Sequence, residues 1–434
     1  MESHLSSFLS LRHGSNAWAQ RQDVIDAWKR GAQEDVPPMI AEYAPEISCN
    51  ADCYGCPYRR SRRSIGDIVH PAGAVAIEDN LHSSTRSTAV RVLEEAHKGG
   101  VRGFLWTGGG EPTIWSPLLD MLAYGTQLGM VNALYTNGFV LGRDPDYADR
   151  LLNPNSGLVF VRVSINAVSP AVVKTHWGIA PEEVRPQLRG LAQLLEARNR
   201  LSHSLTQQQL PSIQVSTIID RNNADDLLGI CQTVASIFKD HRRVSGVEDR
   251  FIVRPMTFHG RPLYSAHDHA EQVIQHIIDV CGANGPGRQA LCEAGVDTFM
   301  GFGLPQVETG AVSSFSALVQ DTYAERDISL AAGLFLIVGP GGDVHLSTEH
   351  NCDAKWSMGN LVKQSVSEIY GGDARRRLLA LANSHRWGPD VAQPTSRTAR
   401  LDRVAKAVRD GLLTGQDIEC IRQVSLNSHP LLLD

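Results

Sequence analysis

The chain has 434 residues and a formal net charge of −6, with 42% hydrophobic and 20% charged residues. These values are typical of a soluble globular protein with two or three domains or one large barrel, and they give no indication of nucleic-acid binding. The 8 cysteines are too few for a disulfide scaffold, the apolar runs are too short to span a membrane, and no signal peptide is evident. We therefore expect a cytoplasmic protein.

Apolar or extended segments alternate with helical patterns along the first part of the chain. The predicted strands are 39–48, 103–106, 131–135, 158–165, 213–219 and 251–254, and the main predicted helices are 87–98, 118–128, 185–201 and 224–238. Strands that alternate with helices predict parallel βα units. Because six strands are fewer than the eight of a closed barrel, the sequence predicts an α/β fold with a partial (β/α)6 TIM-like barrel.

The last third of the chain has a different pattern. Apolar segments 334–338 and 343–346 flank the turn-forming run 339–342, which predicts a hairpin, and a helix is predicted near 366–379. We predict an N-terminal helical segment (1–36), a barrel core (37–262), a helical connection (263–330) and a smaller C-terminal α+β domain (331–434).

Three cysteines lie close together just after the first predicted strand: Cys49, Cys53 and Cys56. Thiolates suit iron–sulfur clusters and zinc. A [4Fe–4S] cluster normally takes four thiolates, so three would leave one iron open for another ligand. A structural zinc site is the alternative, but such sites usually combine one cysteine pair with a second pair or with histidines, and no second Cys-x2-Cys occurs.

Polar residues follow the next strands where ligands bind in parallel α/β folds, at the carboxyl ends. The second strand leads into Gly-Gly-Gly-Glu at 108–111, whose glycines permit a close backbone approach and whose Glu111 offers a carboxylate for a cationic amine. The third ends in Thr-Asn-Gly at 136–138. Ser164 and Asn166 lie on one face of the fourth strand, where they would hydrogen-bond a ribose or a carboxylate.

The Cys-x3-Cys-x2-Cys loop and the later Gly-Gly-Glu-Pro motif resemble the signature of the radical S-adenosylmethionine (SAM) superfamily. The resemblance implies a [4Fe–4S] cluster on Cys49, Cys53 and Cys56, with SAM chelating the fourth iron. It also implies reductive cleavage of SAM to a 5′-deoxyadenosyl radical that abstracts a substrate hydrogen, with an electron donor such as flavodoxin or ferredoxin.

The same resemblance assigns the SAM contacts. Gly109, Gly110 and Glu111 would contact the amine of SAM, and Ser164 and Asn166 its ribose or carboxylate. One position departs from the family pattern: Gly55 stands where an aromatic residue often precedes the third cysteine, and Tyr58 is the candidate replacement.

The C-terminal segment resembles the SPASM or twitch extension of many radical SAM enzymes. The remaining cysteines of the chain are scattered and include no close pair, so we predict no auxiliary cluster; the alternative is a cluster on Cys281, Cys292 and Cys352. A metal site with His345, His350 and Cys352 is a weaker alternative, and Cys292 or Cys352 is a candidate hydrogen donor.

The favoured substrate is a small polar natural-product intermediate, such as a nucleotide sugar, aminosugar or cyclitol in antibiotic biosynthesis. Arg254 and Arg261, near the sixth strand, would bind a phosphate, and the basic run 59–63 is either a solvated loop or a contact for phosphate or an electron donor. The alternatives are modification of a ribosomal peptide or protein and, in another class, a non-catalytic zinc-binding protein.

Overall fold

The computed structural model describes most of the chain. The described residues are 17–32, 35–53, 56, 83–178, 180–258, 261–262, 269–301, 304, 308–310, 333–347, 356–383 and 396–425. No helix among these residues is long and apolar enough to cross a membrane.

A ten-stranded sheet organises the molecule, with the strand order β12-β11-β10-β1-β2-β3-β4-β5-β6-β9. All pairings from β10 through β1 to β9 are parallel, and β11 and β12 continue the sheet in antiparallel fashion. The strands are β1 Ile40–Tyr43, β2 Gly103–Trp106, β3 Val131–Thr136, β4 Leu158–Ser164, β5 Ser212–Ile219, β6 Arg250–Pro255, β7 Thr257–Phe258, β8 Arg261–Pro262, β9 Asp297–Met300, β10 Phe335–Val338, β11 Asp343–His345 and β12 Ser357–Asn360, of which β7 and β8 form a separate hairpin.

Helices connect most of the parallel strands, as is usual for the crossovers of βαβ units. The α-helices of five or more residues are α1 Gln22–Arg30, α2 Arg86–Lys98, α3 Leu118–Gln127, α4 Phe139–Arg143, α5 Tyr147–Leu151, α6 Val184–Leu201, α7 Leu227–His241, α8 His269–Cys281, α9 Pro286–Glu293, α10 Val366–Tyr370, α11 Asp373–Asn383, α12 Ser396–Arg409 and α13 Gly415–Ser425.

The two faces of the sheet are buried by different helices. One face packs against the connecting helices and contributes alternate strand residues, including Tyr43, Trp106, Leu134, Val161, Val215, Phe251 and Leu336. The other face packs, near the amino ends of its strands, against α1, α12 and α13, and contributes Ile40, Leu105, Ala133, Phe160 and Ile337. Helices from the N-terminal and C-terminal parts of the chain therefore cover the amino half of this face. We call the whole face the inner face.

The predicted α/β class with a parallel sheet is confirmed, and the six predicted strands correspond to β1–β6. Two further parallel strands flank them, because β9 pairs with β6 and β10 pairs with β1. The helix predicted near 366–379 is wrong as a single helix: α10 ends at Tyr370 and α11 begins at Asp373, separated by Gly371 and Gly372, which favour a break. The domain boundaries remain predictions.

Candidate functional site

The loops that follow β1 and β2 are joined through their backbones at the carboxyl edge of the sheet. The Gly110 N–H donates to the Glu46 carbonyl oxygen (2.8 Å), and the Glu111 N–H donates to the Ser48 carbonyl oxygen (2.9 Å). A Cβ atom at Gly110 would collide with the Ser48 carbonyl oxygen and with Ile47. Only glycine permits this approach, so the glycine loop holds the segment that leads into Cys49.

The three cysteines of this loop are half-buried thiols that are not joined in disulfides. Cys49 and Cys53 pack against a small apolar cluster of residues from the loops after β1, β3 and β4: Ala51, Phe139, Ala167 and Val173. The Cys56 N–H donates to the Cys53 carbonyl oxygen (3.2 Å), which closes a turn between the second and third cysteines. The thiols therefore lie at the carboxyl edge, beside apolar side chains.

The donor set of this loop fits an iron–sulfur cluster. Within the described residues, no three His, Cys, Asp or Glu side chains converge as ligands of a single metal ion. In a [4Fe–4S] cluster each thiolate binds a different iron, so the ligands need not converge on one point. Three soft thiol donors against apolar side chains satisfy that chemistry.

Glu111 is a buried carboxylate surrounded by neutral donors. Its Oε1 accepts hydrogen bonds from the Thr113 N–H (3.0 Å), the Thr113 hydroxyl (2.6 Å) and the Thr136 hydroxyl (2.7 Å). Its Oε2 accepts one from the Asn137 N–H (2.7 Å). Burial raises the pKa of this carboxyl above its ordinary 4.5, and these hydrogen bonds oppose the rise. Glu111 thus connects the loop after β2 to the loop after β3.

Asn137 extends this connection to the cysteines. Its Nδ2 donates to Asn50 Oδ1 (2.7 Å) and lies 3.7 Å from Cys49 Sγ. Gln187, on α6, donates from one Nε2 to the carbonyl oxygens of Asn137 (2.8 Å) and Ser164 (2.6 Å). The sequence indicated a polar strand end at 136–138, but it gave no role to Asn137 and did not single out Gln187.

Ser164 and Asn166 lie at the carboxyl end of β4, as expected. Asn166 is buried, and its Oδ1 accepts a hydrogen bond from the Ile218 N–H (2.9 Å) on β5. Its carbonyl oxygen accepts from Asn223 Nδ2 (2.8 Å). Its carboxamide oxygen therefore holds β4 to β5. Gly109 is buried in the same loop as Gly110 and Glu111.

His176, a buried histidine that the sequence analysis did not single out, lies near this edge. His176 Nδ1 is 3.8 Å from Asp220 Oδ2, and both side chains are almost fully buried. Burial lowers the pKa of His176, and the negative charge of Asp220 opposes that change. Two residues later, a Cβ at Gly178 would lie 2.7 Å from the Asp52 carbonyl oxygen, so this turn packs on the cysteine loop.

The inner face carries a row of polar side chains that runs across β3, β4, β5 and β6. Tyr135, Arg162, Gln214 and Arg250 are in register across β3, β4, β5 and β6. Arg162 donates to Tyr135 Oη (2.8 Å) and, from Nε and Nη2, to Gln214 Oε1 (2.9 and 2.7 Å). Polar and charged groups therefore lie on the face opposite the connecting helices.

A family comparison identifies the domain that contains these loops. Residues 47–205 match the model of the radical SAM superfamily. This region is a radical SAM domain. The protein is therefore an enzyme whose cofactors are a [4Fe–4S] cluster and SAM, as the cysteine and glycine motifs predicted. No curated protein matches the chain in sequence.

Solved structures share the fold of this chain at low identity. Streptococcus suis SuiB bound to precursor peptide SuiA has a TM-score of 0.55 at 13% identity, over 82% of this chain and 70% of that chain. SuiB bound to S-adenosylmethionine has a TM-score of 0.53 at 12% identity, over 82% and 76%. Native anSMEcpe with bound AdoMet has a TM-score of 0.51 at 12% identity, over 89% and 100%.

Several sequence-predicted residues lie away from this edge or outside the described residues. Cys281 is buried with its Sγ 3.8 Å from Cys231 Sγ, and Cys292 is exposed on α9. Arg254, by contrast, lies at this edge, half-buried near the carboxyl end of β6 and in register with Ile218. The predictions that involve Gly55, Tyr58, the basic run 59–63, His350, Cys352 and the side chain of Arg261 lie outside the described part of the chain.

Proposed function

We propose that Cys49, Cys53 and Cys56 hold the [4Fe–4S] cluster of this radical SAM enzyme and leave one iron for SAM. The observation that carries the proposal is the backbone junction in which Gly110 and Glu111 donate to the carbonyl oxygens of Glu46 and Ser48. It joins the loop that offers thiolates to the loop that offers groups for an amine.

When bound, the cluster would pass one electron from an external donor to SAM, and the chemistry supplied would be reductive cleavage of the sulfonium and hydrogen abstraction from the substrate. The residues of the chain orient the reactants and exclude water. Gly109, Gly110 and Glu111 are assigned to the amine of SAM. Glu111 Oε1 accepts three hydrogen bonds and Oε2 accepts one, so Oε2 is the oxygen with capacity for an amine N–H.

Ser164 and Asn166 are assigned to the ribose or carboxylate of SAM. Because Asn166 Oδ1 accepts from Ile218, its Nδ2 is the group assigned to SAM. The Ser164 hydroxyl is on the same face of β4, two residues earlier.

The favoured substrate is a small polar natural-product intermediate, such as a nucleotide sugar, aminosugar or cyclitol. Arg254 supports it, because this guanidinium is half-buried near the carboxyl end of β6, where it would meet a phosphate of the substrate. A reduced flavodoxin or ferredoxin is the proposed electron donor, in the cytoplasm.

The second candidate is modification of a ribosomal peptide. The fold is shared with SuiB, whose structure holds a precursor peptide, and this likeness keeps a peptide in the panel of test substrates.

The test is formation of 5′-deoxyadenosine by the anaerobically reconstituted, reduced protein with nucleotide sugars, aminosugars, cyclitols and candidate peptides. We expect stimulation by a small polar compound, loss of activity in Cys53→Ala, and retention in Cys420→Ala, whose cysteine is exposed and outside the site. Stimulation by a peptide alone would replace the favoured substrate with the second. A wild-type protein that binds zinc without iron or sulfide would contradict the proposed function.

A further inference from the structure

Every polar group of Asn137 has an assigned partner around the cysteine loop. Its N–H donates to Glu111 Oε2 (2.7 Å), and its carbonyl oxygen accepts from Gln187 Nε2 (2.8 Å). Its Oδ1 accepts from the Phe139 N–H (3.1 Å). The side chain is buried, so these bonds fix both its backbone and its carboxamide.

The partners determine which end of the carboxamide faces Cys49. Because the Phe139 N–H is a donor, the atom that it contacts must be the carboxamide oxygen. The NH₂ group therefore points toward Asn50 Oδ1 (2.7 Å) and Cys49 Sγ (3.7 Å). The Ala51 N–H also donates to Cys49 Sγ (3.4 Å), so this sulfur has one backbone and one side-chain donor.

A donor beside a cluster thiolate changes the energy of electron transfer. Hydrogen bonds to the sulfurs are among the features that set cluster reduction potentials. The reduced cluster carries one more negative charge than the oxidised cluster, so an N–H directed at its sulfur stabilises the reduced form more. A buried donor has a larger effect, because the local dielectric constant is low.

We propose that Asn137 raises the reduction potential of the cluster by directing its NH₂ group at the Cys49 sulfur. Glu111 and Gln187 hold it in place. The inference rests on the proposed function only in that Cys49 must be a cluster ligand.

The test is a redox titration of the reconstituted protein, in which the electron paramagnetic resonance (EPR) signal of the reduced cluster measures the fraction reduced at each potential. Asn137→Asp keeps an oxygen for the Phe139 N–H and replaces the donor near Cys49 with a carboxylate oxygen. We expect the ratio of reduced to oxidised cluster at the wild-type midpoint to fall about tenfold, which is about 59 mV for a one-electron couple. Asn153→Asp is the matched control, because Asn153 is exposed and its Oδ1 accepts from the Asn155 N–H.

Asn137→Ala is the second variant, with a smaller shift expected in the same direction, because it removes the donor without adding charge. A potential in both variants equal to that of Asn153→Asp would overturn the inference. Failure of both to assemble a cluster would also overturn it, because the proposal leaves the three thiolates intact. A wild-type protein whose cluster does not depend on Cys49 would instead contradict the proposed function.

Discussion

Two buried carboxylates at opposite edges of the sheet have different surroundings. Glu111, beyond the carboxyl end of β2, accepts only neutral donors, from Thr113, Thr136 and Asn137. Asp249, immediately before β6 at the amino edge, is bracketed by the guanidinium groups of two arginines. The same chemical group therefore has two uses: the Glu111 carboxylate joins loops around the proposed SAM site, and the Asp249 carboxylate neutralises charge inside the protein.

The Asp249 cluster is an ion-pair network. Arg198 donates to both carboxylate oxygens of Asp249 (2.5 and 2.9 Å), and the Ile213 N–H donates to Oδ1 (2.9 Å). Arg242 Nε lies 3.0 Å from Oδ2 but is not aligned to donate, so its contribution is electrostatic. This network joins α6, α7 and the starts of β5 and β6, far along the strands from the cysteines.

Gly110→Ala should have the largest effect on activity. It disrupts the backbone junction at the carboxyl edge of the sheet and leaves the amino edge intact. The added Cβ collides with the Ser48 carbonyl oxygen, so the cysteine loop must move. We expect 5′-deoxyadenosine formation to fall about 100-fold or more, since displacements of about 1 Å have that effect. Gly415→Ala is the control, because a Cβ there meets no atom within 4 Å. Equal activities of the two variants would contradict the role of the junction.

Asp249→Ala tests the other edge. It leaves buried guanidinium charge without its carboxylate, so we expect a loss of about 3–5 kcal/mol in unfolding free energy, measured from urea midpoints. SAM cleavage per assembled cluster should be unchanged. Asp149→Ala removes an exposed pair with Arg200 and should cost about 0–1 kcal/mol. A selective loss of SAM cleavage in Asp249→Ala would remove the distinction between the edges.

Glu111→Gln sharpens the comparison through pH. The raised pKa means that folded protein binds this proton more tightly than unfolded protein, so the stabilisation is present below pH 4.5 and is lost as pH rises through the folded pKa. The variant should lose this dependence, at most about 1.4 kcal/mol per pH unit. The substitution should also lower the unfolding free energy by about 1–3 kcal/mol, because an NH₂ group replaces one of the carboxylate oxygens that accept hydrogen bonds. Urea midpoints between pH 4 and 8 would check this, with exposed Glu293→Gln as the control.

Substitution of His176 should give the smallest effect. Its contribution to the pH dependence of stability has the opposite sign to that of Glu111. Its pKa is lowered, so its contribution to stability is present above its ordinary 6.5 and is lost as pH falls through the folded pKa. We expect His176→Asn to flatten the fall in urea midpoint between pH 7 and pH 5, and exposed His203→Asn to leave it unchanged. If the urea midpoint of His176→Asn fell between pH 7 and pH 5 as steeply as that of the wild type, this would contradict the conclusion that His176 is buried in its neutral form.

The sequence predicted the strands and motifs that depend on local pattern. The apolar runs of β2 and β4 and the cysteine and glycine loops are each contained in a few consecutive residues. The connections among Glu111, Asn137, Gln187 and Cys49 join residues far apart in the chain, so no local period reveals them. The same reason applies to β9, which pairs with β6, and to the pairing of β10 with β1, since the sequence predicted segment 334–338 only as one strand of a hairpin.

The most direct test of the account is the EPR spectrum of the reduced protein before and after SAM is added. In the proposed site, three thiolates from Cys49, Cys53 and Cys56 leave one iron for SAM, so we expect a [4Fe–4S] signal whose shape changes on SAM addition. A reduced cluster whose spectrum is the same with and without saturating SAM would contradict the central claim that this edge of the sheet binds SAM at an open iron.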